Sequence, residues 1–196
     1  MSEITTAGIY CASSPRIDRE YFRAADELTG ILVQNNITIY FGGGKHGLMG
    51  QVATRVNLDN GKIVGVIPGF MKDENWHNEE IGEMIVVNSM HKRKETIFKH
   101  SEALIALPGG CGTIEELMEA ITWKQLGLFN GPIIILNTRG YYDPLVTLLD
   151  KMVNESFLRE VHRNMWSVIN NPSEIMGAIK ESPPWSVNAR NFAAVK

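Results

Sequence analysis

Six short apolar runs punctuate the chain: "AGIYCAS" (7–13), "ITIYFGG" (37–43), "KIVGVIP" (62–68), "EMIVVNS" (83–89), "EALIALPG" (102–109) and "GPIIILNT" (131–138). Their apolar residues are consecutive rather than alternating, the pattern of strands covered on both faces in a parallel sheet. Between them the period lengthens. "RIDREYFRAADELTGILVQNN" sets Tyr21, Ala25, Leu28 and Leu32 on one helical stripe. Further helices are expected after Gly47, through "KRKETIFKHS", from Thr113 onward, in "YYDPLVTLLDKMVNESF", and in "NPSEIMGAIKE" with Pro172 near its start. This alternation predicts an α/β fold: a Rossmann-like, doubly wound, mainly parallel sheet flanked by helices, with right-handed crossovers. Residues 69–83 fit neither period and are expected to form a loop, placed where such sheets bind ligands. Residues 1–182 read as a single domain and 183–196 as a loosely held tail.

Composition narrows the class. With 196 residues, 44% hydrophobic and 21% charged, the chain reads as an ordinary globular protein. A net charge of −3 gives no global attraction for nucleic acid, and only "HKRK" at 91–94 is locally basic. Two cysteines, Cys11 and Cys111, are too few for a disulfide framework. The first residues lack a basic, then apolar, secretory pattern, so a cytoplasmic location is expected. No apolar run is long enough to cross a bilayer.

Candidate chemistry sits in two glycine loops. In "YFGGGKHGLMG", Gly42, Gly44 and Gly47 form a G-x-G-x-x-G pattern between strand and helix. An NAD site would place an acid at the end of the next strand, yet that strand ends in Pro68 and Gly69. A P-loop fails too, since Leu48 and Met49 stand where Lys and Ser/Thr belong. A close strand-helix turn that only glycine permits is the structural alternative. In "ALPGGCGTIEELMEA", Gly109, Gly110 and Gly112 precede Thr113. Thr113 and Glu116 have the spacing of a capping box, which would account for Glu116 but not for three glycines ahead of it. Bare amides at a helix start attract phosphate, with Thr113 adding a hydroxyl, so the two loops together suggest one phosphorylated ligand between them.

The stretch "PGGCGTIEE" resembles the PGGxGTxxE signature of the Lonely Guy family of cytokinin-activating phosphoribohydrolases, often labelled lysine decarboxylases. "CASS", "GGGKHGLMG", "SMHKRK", "ITWKQLG" and "GYYDPL" are similar to further family blocks in the same order. The resemblance implies hydrolysis of the N-glycosidic bond of an N6-modified adenosine 5′-monophosphate to free base and ribose 5-phosphate. It implies no metal or organic cofactor, and a Rossmann-like homodimer. Carried over by position, it implies catalytic roles for Arg93 and Glu116. Substrate contacts are implied at Gly43, Gly44, Gly47, Met90 and Lys94, and around the second loop at Gly109, Gly110, Cys111, Gly112, Thr113 and Glu115. Thr122 in "ITW" and, in the irregular loop, Glu74 complete the set. Two positions depart from the pattern: Cys111, where an aromatic residue is common, and Asn88, where an acid is.

A carboxylate beside the ribose would stabilise the positive charge that develops as the glycosidic bond breaks, and would orient or deprotonate water. Arg93 would hold Glu116 ionised, or bind phosphate or ribose hydroxyls. Cys111 is read as a small filler rather than a nucleophile, because no partner histidine is identifiable. His46 and His91 lack metal-ligand spacing. Trp76 is the better base-stacking candidate, and Trp123 is read as core or dimer interface. Ile114, Leu117, Met118, Ile121, Trp123 and Leu126 give their helix more apolar surface than one sheet contact needs, hence an expected homodimer. Two rivals remain: a pyridoxal-phosphate decarboxylase through Lys92 of "SMHK", and a nucleotide or cofactor carrier without turnover.

Overall fold

The apolar runs pair side by side as parallel strands, the inner ones covered on both faces, while the run at 83–87 lies on the sheet edge and leaves Glu83 and Val86 exposed. The structure, a computed structural model, describes residues 4–189. Its strands are β1 (Thr6–Tyr10), β2 (Thr38–Phe41), β3 (Ile63–Pro68), β4 (Glu83–Val87), β5 (Ala103–Ala106), β6 (Ile133–Leu136) and β7 (Ser167–Ile169). The helices are α1 (Arg19–Gln34), α2 (Gly47–Leu58), α3 (Gly69–Asp73), α4 (Met90–Lys99), α5 (Cys111–Gln125), α6 (Asp143–Asn154) and α7 (Ile175–Glu181). All strand pairs are parallel, in the order β4-β3-β2-β1-β5-β6-β7.

From β1 the chain winds outward to β4, then returns to lay β5 on the other side of β1. The order therefore reverses between β1 and β5, where Ala7 pairs with Ile39 on one side and Ala103 on the other. Doubly wound sheets open a crevice at the carboxyl ends of such neighbouring strands.

Strand alternation divides the core into two layers. Ile9, Ile105, Ile134 and Leu136 face a cluster with Leu28 and Leu32 of α1, Val52 and Val56 of α2, and Ile175 and Ile179 of α7. Tyr10, Leu104, Ala106, Ile133 and Ile135 face the opposite cluster, with Ile97 of α4, Leu117 and Ile121 of α5, and Leu149 of α6. Odd and even positions of one strand thus serve different helices, and a one-residue slip would exchange the two sets.

Several expectations need correction. The seventh strand was not expected: "SVI" has three residues, begins with Ser167 and leaves Val168 exposed at the sheet edge, so it lacks the signature of a strand covered on both faces. Residues 69–83 are not wholly irregular, for Gly69–Asp73 make a helical turn and a bridge joins His77 to Gly44. The expected loose tail is packed as far as Ala189: Trp185 joins the second core cluster and its indole N–H donates to the Lys124 carbonyl. The rest of that expected tail, 190–196, lies outside the described residues. Among the described residues no helix is long and apolar enough to cross a membrane.

Candidate active site

Beyond the carboxyl ends of β1 and β5 lies a cavity of about 590 Å³, a volume suited to a small molecule. Its walls come from the end of β1 and the residues after it (Ile9 to Ser13), the turn before α2, Met71 and Trp76 of the segment after β3, the start of α4 and the start of α5.

The start of α5 differs from the expected one. The helix begins at Cys111, two residues before Thr113, with Gly110 as its N-cap and no side-chain cap. No capping box forms between Thr113 and Glu116, and there is no acidic residue in the first turn. The carboxylates of Glu115 and Glu116 therefore belong to the second turn, and nothing negative sits on the bare amides. Those of Cys111, Gly112 and Thr113 have no acceptor within the helix, so they remain available to an anion. A Cβ on Gly110 or Gly112 would meet nothing within 4 Å, whereas one on Gly109 would lie 2.1 Å from the Thr113 hydroxyl. Packing thus requires glycine at 109 but not at 110 or 112, where the missing side chains enlarge only the open space.

The first glycine loop is different. Gly47 adopts φ +62° and a Cβ there would strike the backbone of Ser13 at 2.5 Å. The Leu48 amide donates to the Ala12 carbonyl at 2.9 Å. The first turn of α2 is thus occupied by the segment that follows β1, and this loop is a close strand-helix turn rather than a second bare-amide phosphate cradle.

Arg93 projects from α4, whose N-cap Ser89 accepts the Lys92 amide at 3.1 Å. It is not a solvated surface charge: it is 7% exposed, and its Nη2 donates to the Gly42 carbonyl at 3.1 Å. Its Nε is buried without a protein partner among the described residues, although the side chain lines the cavity. Glu116 is partly buried on the α5 wall. Burial pushes its carboxyl up to about 7, against the pull of Arg93 and Lys94 and with further repulsion from Glu115 and Glu119. The expectation that Arg93 keeps Glu116 fully ionised is therefore corrected: the guanidinium acts in the expected direction, but desolvation outweighs it.

Of the expected site residues, Gly44, Met90, Arg93, Gly110, Cys111, Gly112, Thr113, Glu115 and Glu116 line the cavity together, as does Trp76. Six others do not line it. Gly43, with φ +71°, packs against Met84, and Gly47 and Gly109 serve the close turns. Glu74 is an exposed helix end at the close of α3. Thr122 is exposed and returns its hydroxyl to the Met118 carbonyl at 2.8 Å. Lys94 is buried and bridges to Glu115 and, at 3.0 Å, to Glu119, tying α4 to α5. Burial lowers its ammonium, but the hydrogen bonds to the two glutamates prevail and hold it above the ordinary value.

Cys111 is exposed at the cavity, not a packing filler. With Arg93 and Lys94 buried, "HKRK" does not form a continuous basic surface. Lys92 pairs with Glu95 on the outer side of α4 and does not line the cavity, so the lysine that suggested a pyridoxal-phosphate decarboxylase is misplaced for it. Trp123 packs edge-on against Phe98 at 4.0 Å.

Sequence reasoning missed Tyr10, Ser13, Lys45, His46, Met49 and Met71, which also line the cavity. "CASS" and "GGGKHGLMG" marked the neighbourhood of most of them, but no spacing rule points from β1 across to α5. The same holds for the tyrosines of "GYYDPL". Tyr142 donates to the Leu107 carbonyl at 2.7 Å and Tyr141 to that of Gly109, so both hydroxyls hold the loop before α5. The segment around Trp76 is held similarly, its carbonyl accepting the Lys45 amide at 3.2 Å.

Residues 49–179 match the family model described as "Possible lysine decarboxylase". A cytokinin riboside 5′-monophosphate phosphoribohydrolase of Arabidopsis thaliana is 42% identical over 165 residues, 84% of this chain and 76% of the relative. A second from the same plant is 39% identical over 176 residues, covering 90% and 83% of the two chains. A rice protein, named "Probable cytokinin riboside 5′-monophosphate phosphoribohydrolase", is 40% identical over 176 residues, 90% of this chain and 72% of its own. Among solved structures, the molybdenum cofactor binding protein of Rippkaea orientalis superposes with a TM-score of 0.69 at 17% identity, over 92% of this chain and 98% of that one. At that identity the likeness is one of fold.

Proposed function

The chain belongs to the Lonely Guy family, the cytokinin riboside 5′-monophosphate phosphoribohydrolases whose family model is described as "Possible lysine decarboxylase", and from that membership we propose that it hydrolyses the N-glycosidic bond of AMP carrying an N6 substituent, releasing the base and ribose 5-phosphate. The observation that carries the reading is one cavity holding three features: bare amides at the start of α5, the buried Arg93 and the partly buried Glu116.

Each feature matches one part of such a nucleotide. The 5′-phosphate lies on the amides of residues 111–113, with the Thr113 hydroxyl and the neighbouring Ser13. The ribose lies between Arg93 and Glu116. The base occupies the apolar end, among Met49, Met71, Trp76 and Met90. As the bond from C1′ to the base nitrogen breaks, its electron pair leaves with the base and positive charge spreads over C1′ and the ring oxygen. The Glu116 carboxylate stabilises that charge and takes a proton from the water that adds to C1′. The leaving base gains a proton from solvent, so hydrolysis balances without a redox partner.

We also place the protein in a reducing cytoplasm, which suits its two free cysteines, and infer a homodimer. Leu117 and Ile121 are spent on the core, but Leu126 and Leu128 at the end of α5 remain 43% and 52% exposed. Mass measurement at micromolar concentration tests this, and a monomer would refute it.

The activity is tested by incubating AMP, N6-isopentenyl-AMP and the matching nucleosides with the protein and measuring free base. Release from the nucleotides alone is expected. Equal rates on the nucleosides would leave the α5 amides without a role. Nucleotide binding without turnover would favour the carrier alternative.

A further inference from the structure

Arg93 and Glu116 enter the cavity from different helices, α4 and α5. Two features join those helices. Away from the cavity, Phe98 and Trp123 pack edge-on at 4.0 Å. Nearer to it the link is ionic: the Lys94 ammonium bridges Glu115 and, at 3.0 Å, Glu119, and its side chain is only 7% exposed. By comparison, the Arg55 side chain that joins α2 to Asp26 of α1 is 29% exposed. An ion pair open to water constrains little, whereas a desolvated ammonium must keep its acceptors.

Two acceptors on one helix fix more than a distance. Glu115 and Glu119 are four residues apart and share one face of α5, so the bridge sets how far that helix is rotated as well as how near it lies. Arg93 precedes Lys94 and Glu116 follows Glu115, and each step turns about 100°. The faces that meet at the bridge therefore determine where the guanidinium and the carboxyl point. Arg93, Glu115 and Glu116 line the cavity, and Lys94 does not. The lysine lies behind the wall that the other three form.

We propose that Lys94 is a positioning residue for the hydrolysis, its bridge to Glu115 and Glu119 holding α4 and α5 in the rotation that brings Arg93 and Glu116 to the same ribose. The inference rests on the function proposed above. It gives the lysine a role that needs no contact with substrate. It also accounts for three acids on α5 beside the cavity, since Glu116 serves the chemistry and the other two anchor one buried cation. The groups that face Glu116 are Arg93 and Lys94 from α4, Glu115 and Glu119 on its own helix, and Tyr10 and Cys11 at the end of β1 and just after it.

Lys94→Met removes the ammonium and leaves two carboxylates that are 58% and 27% exposed and can turn to water. A double variant, Lys94→Met with Glu119→Leu, puts apolar contact in place of the buried pair, an exchange that is often neutral or stabilising. Melting temperature, kcat and KM on N6-isopentenyl-AMP, and the Glu116 titration by carbon NMR without substrate are measured for wild type and both variants. We expect kcat to fall about 10²-fold in the single variant, with KM changed by less than about threefold. In the double variant kcat should stay low although the melting temperature returns to that of wild type or above. That variant loses one positive and one negative neighbour of Glu116 together, so a titration still raised by about half a unit or more reports Arg93 drawing away, whether or not there is turnover. Recovery of kcat along with the melting temperature would overturn the proposal, since the bridge would then serve stability alone. So would an unchanged kcat in Lys94→Met, or a rise in KM with kcat kept, which would put the ammonium on the substrate. A wild type without turnover would refute the function and leave the titration to judge Lys94, and a double variant that titrates like wild type would then overturn the positioning as well.

Discussion

The Arg93 guanidinium donates to the Gly42 carbonyl at 3.1 Å, and a Cβ on Gly42 would come within 1.7 Å of the same nitrogen. Backbone of one strand end and side chain of a helix five elements later therefore occupy adjoining space, and only glycine lets them meet. The clash falls on the tip of a flexible side chain rather than on backbone, so Gly42→Ala should fold. It should swing Arg93 off its position. The expected outcome is a loss of kcat/KM of about 10² with a melting temperature near that of wild type, since transition-state contacts tolerate little misplacement. Arg93→Ala should give a similar loss, and combining the two should add little.

Glu116 sets the pH dependence of both rate and stability. With its carboxyl raised to about 7, the ionised base builds up only as pH rises through neutrality, so the acid limb of kcat/KM should lie near pH 7 rather than near 4.5. Because its folded value exceeds its unfolded one, the folded state binds more protons between those values, and stability falls as pH rises from about 4.5 to about 7. Glu116→Gln removes that penalty. It should lower turnover by roughly 10² to 10⁴ while raising the melting temperature at pH 8, with the gain vanishing below pH 4.5. Calorimetry at the two pH values, alongside turnover, checks both signs. The capping explanation of Glu116 requires neither change.

The long apolar runs were legible as strands because four or more consecutive residues in each are mostly apolar, while "SVI" at the sheet edge is three residues long, begins with Ser167 and shows no such signal. Arg93 and Lys94 illustrate why the site was only partly legible. They are neighbours in one block, but a helix turns about 100° per residue, and that step sends Arg93 into the cavity and Lys94 toward Glu115 and Glu119. Likewise, the glycines at 42–47 and 109–112 look alike in one dimension. What separates them is the Ala12 carbonyl, which occupies the first turn of α2 and not that of α5. Contacts of this kind depend on which strand lies beside which, and the pattern along the chain does not contain that.

The loop before α5 is held by hydroxyls that the reaction never touches. Tyr142 is 1% exposed and donates to the Leu107 carbonyl at 2.7 Å. Tyr142→Phe leaves that buried carbonyl without its donor, at a cost of about 1 to 3 kcal/mol. Each kcal/mol should lower the melting temperature of a chain this size by about 2 to 4 °C. Slackening the loop should also raise KM for nucleotides several-fold while leaving kcat nearly unchanged, because the amides bind the phosphate equally before and during bond cleavage. Steady-state kinetics with a thermal melt tests both. A large fall in kcat would show that the loop's position matters to the chemistry as well.

Gly112 offers the cleanest separation of binding from folding. It is the second residue of α5, its φ lies outside the left-handed region, and a Cβ there would touch nothing within 4 Å. Structure alone gives no reason for glycine at this position. Alanine is the better helix former by up to about 1 kcal/mol, so Gly112→Ala should melt at the same temperature as wild type or a few degrees higher. If the amides of residues 111–113 cradle the 5′-phosphate, the added methyl group projects into the space that the phosphate approaches. Nucleotide affinity should then fall by about tenfold or more, while affinity for the free base, which does not reach this loop, is kept. Calorimetric titration of AMP, ribose 5-phosphate and adenine into both proteins distinguishes the cases. Weaker binding of the two phosphates alone, in a protein that has become no less stable, would assign the glycine to the ligand. Unaltered affinity for all three would remove the phosphate from the start of α5.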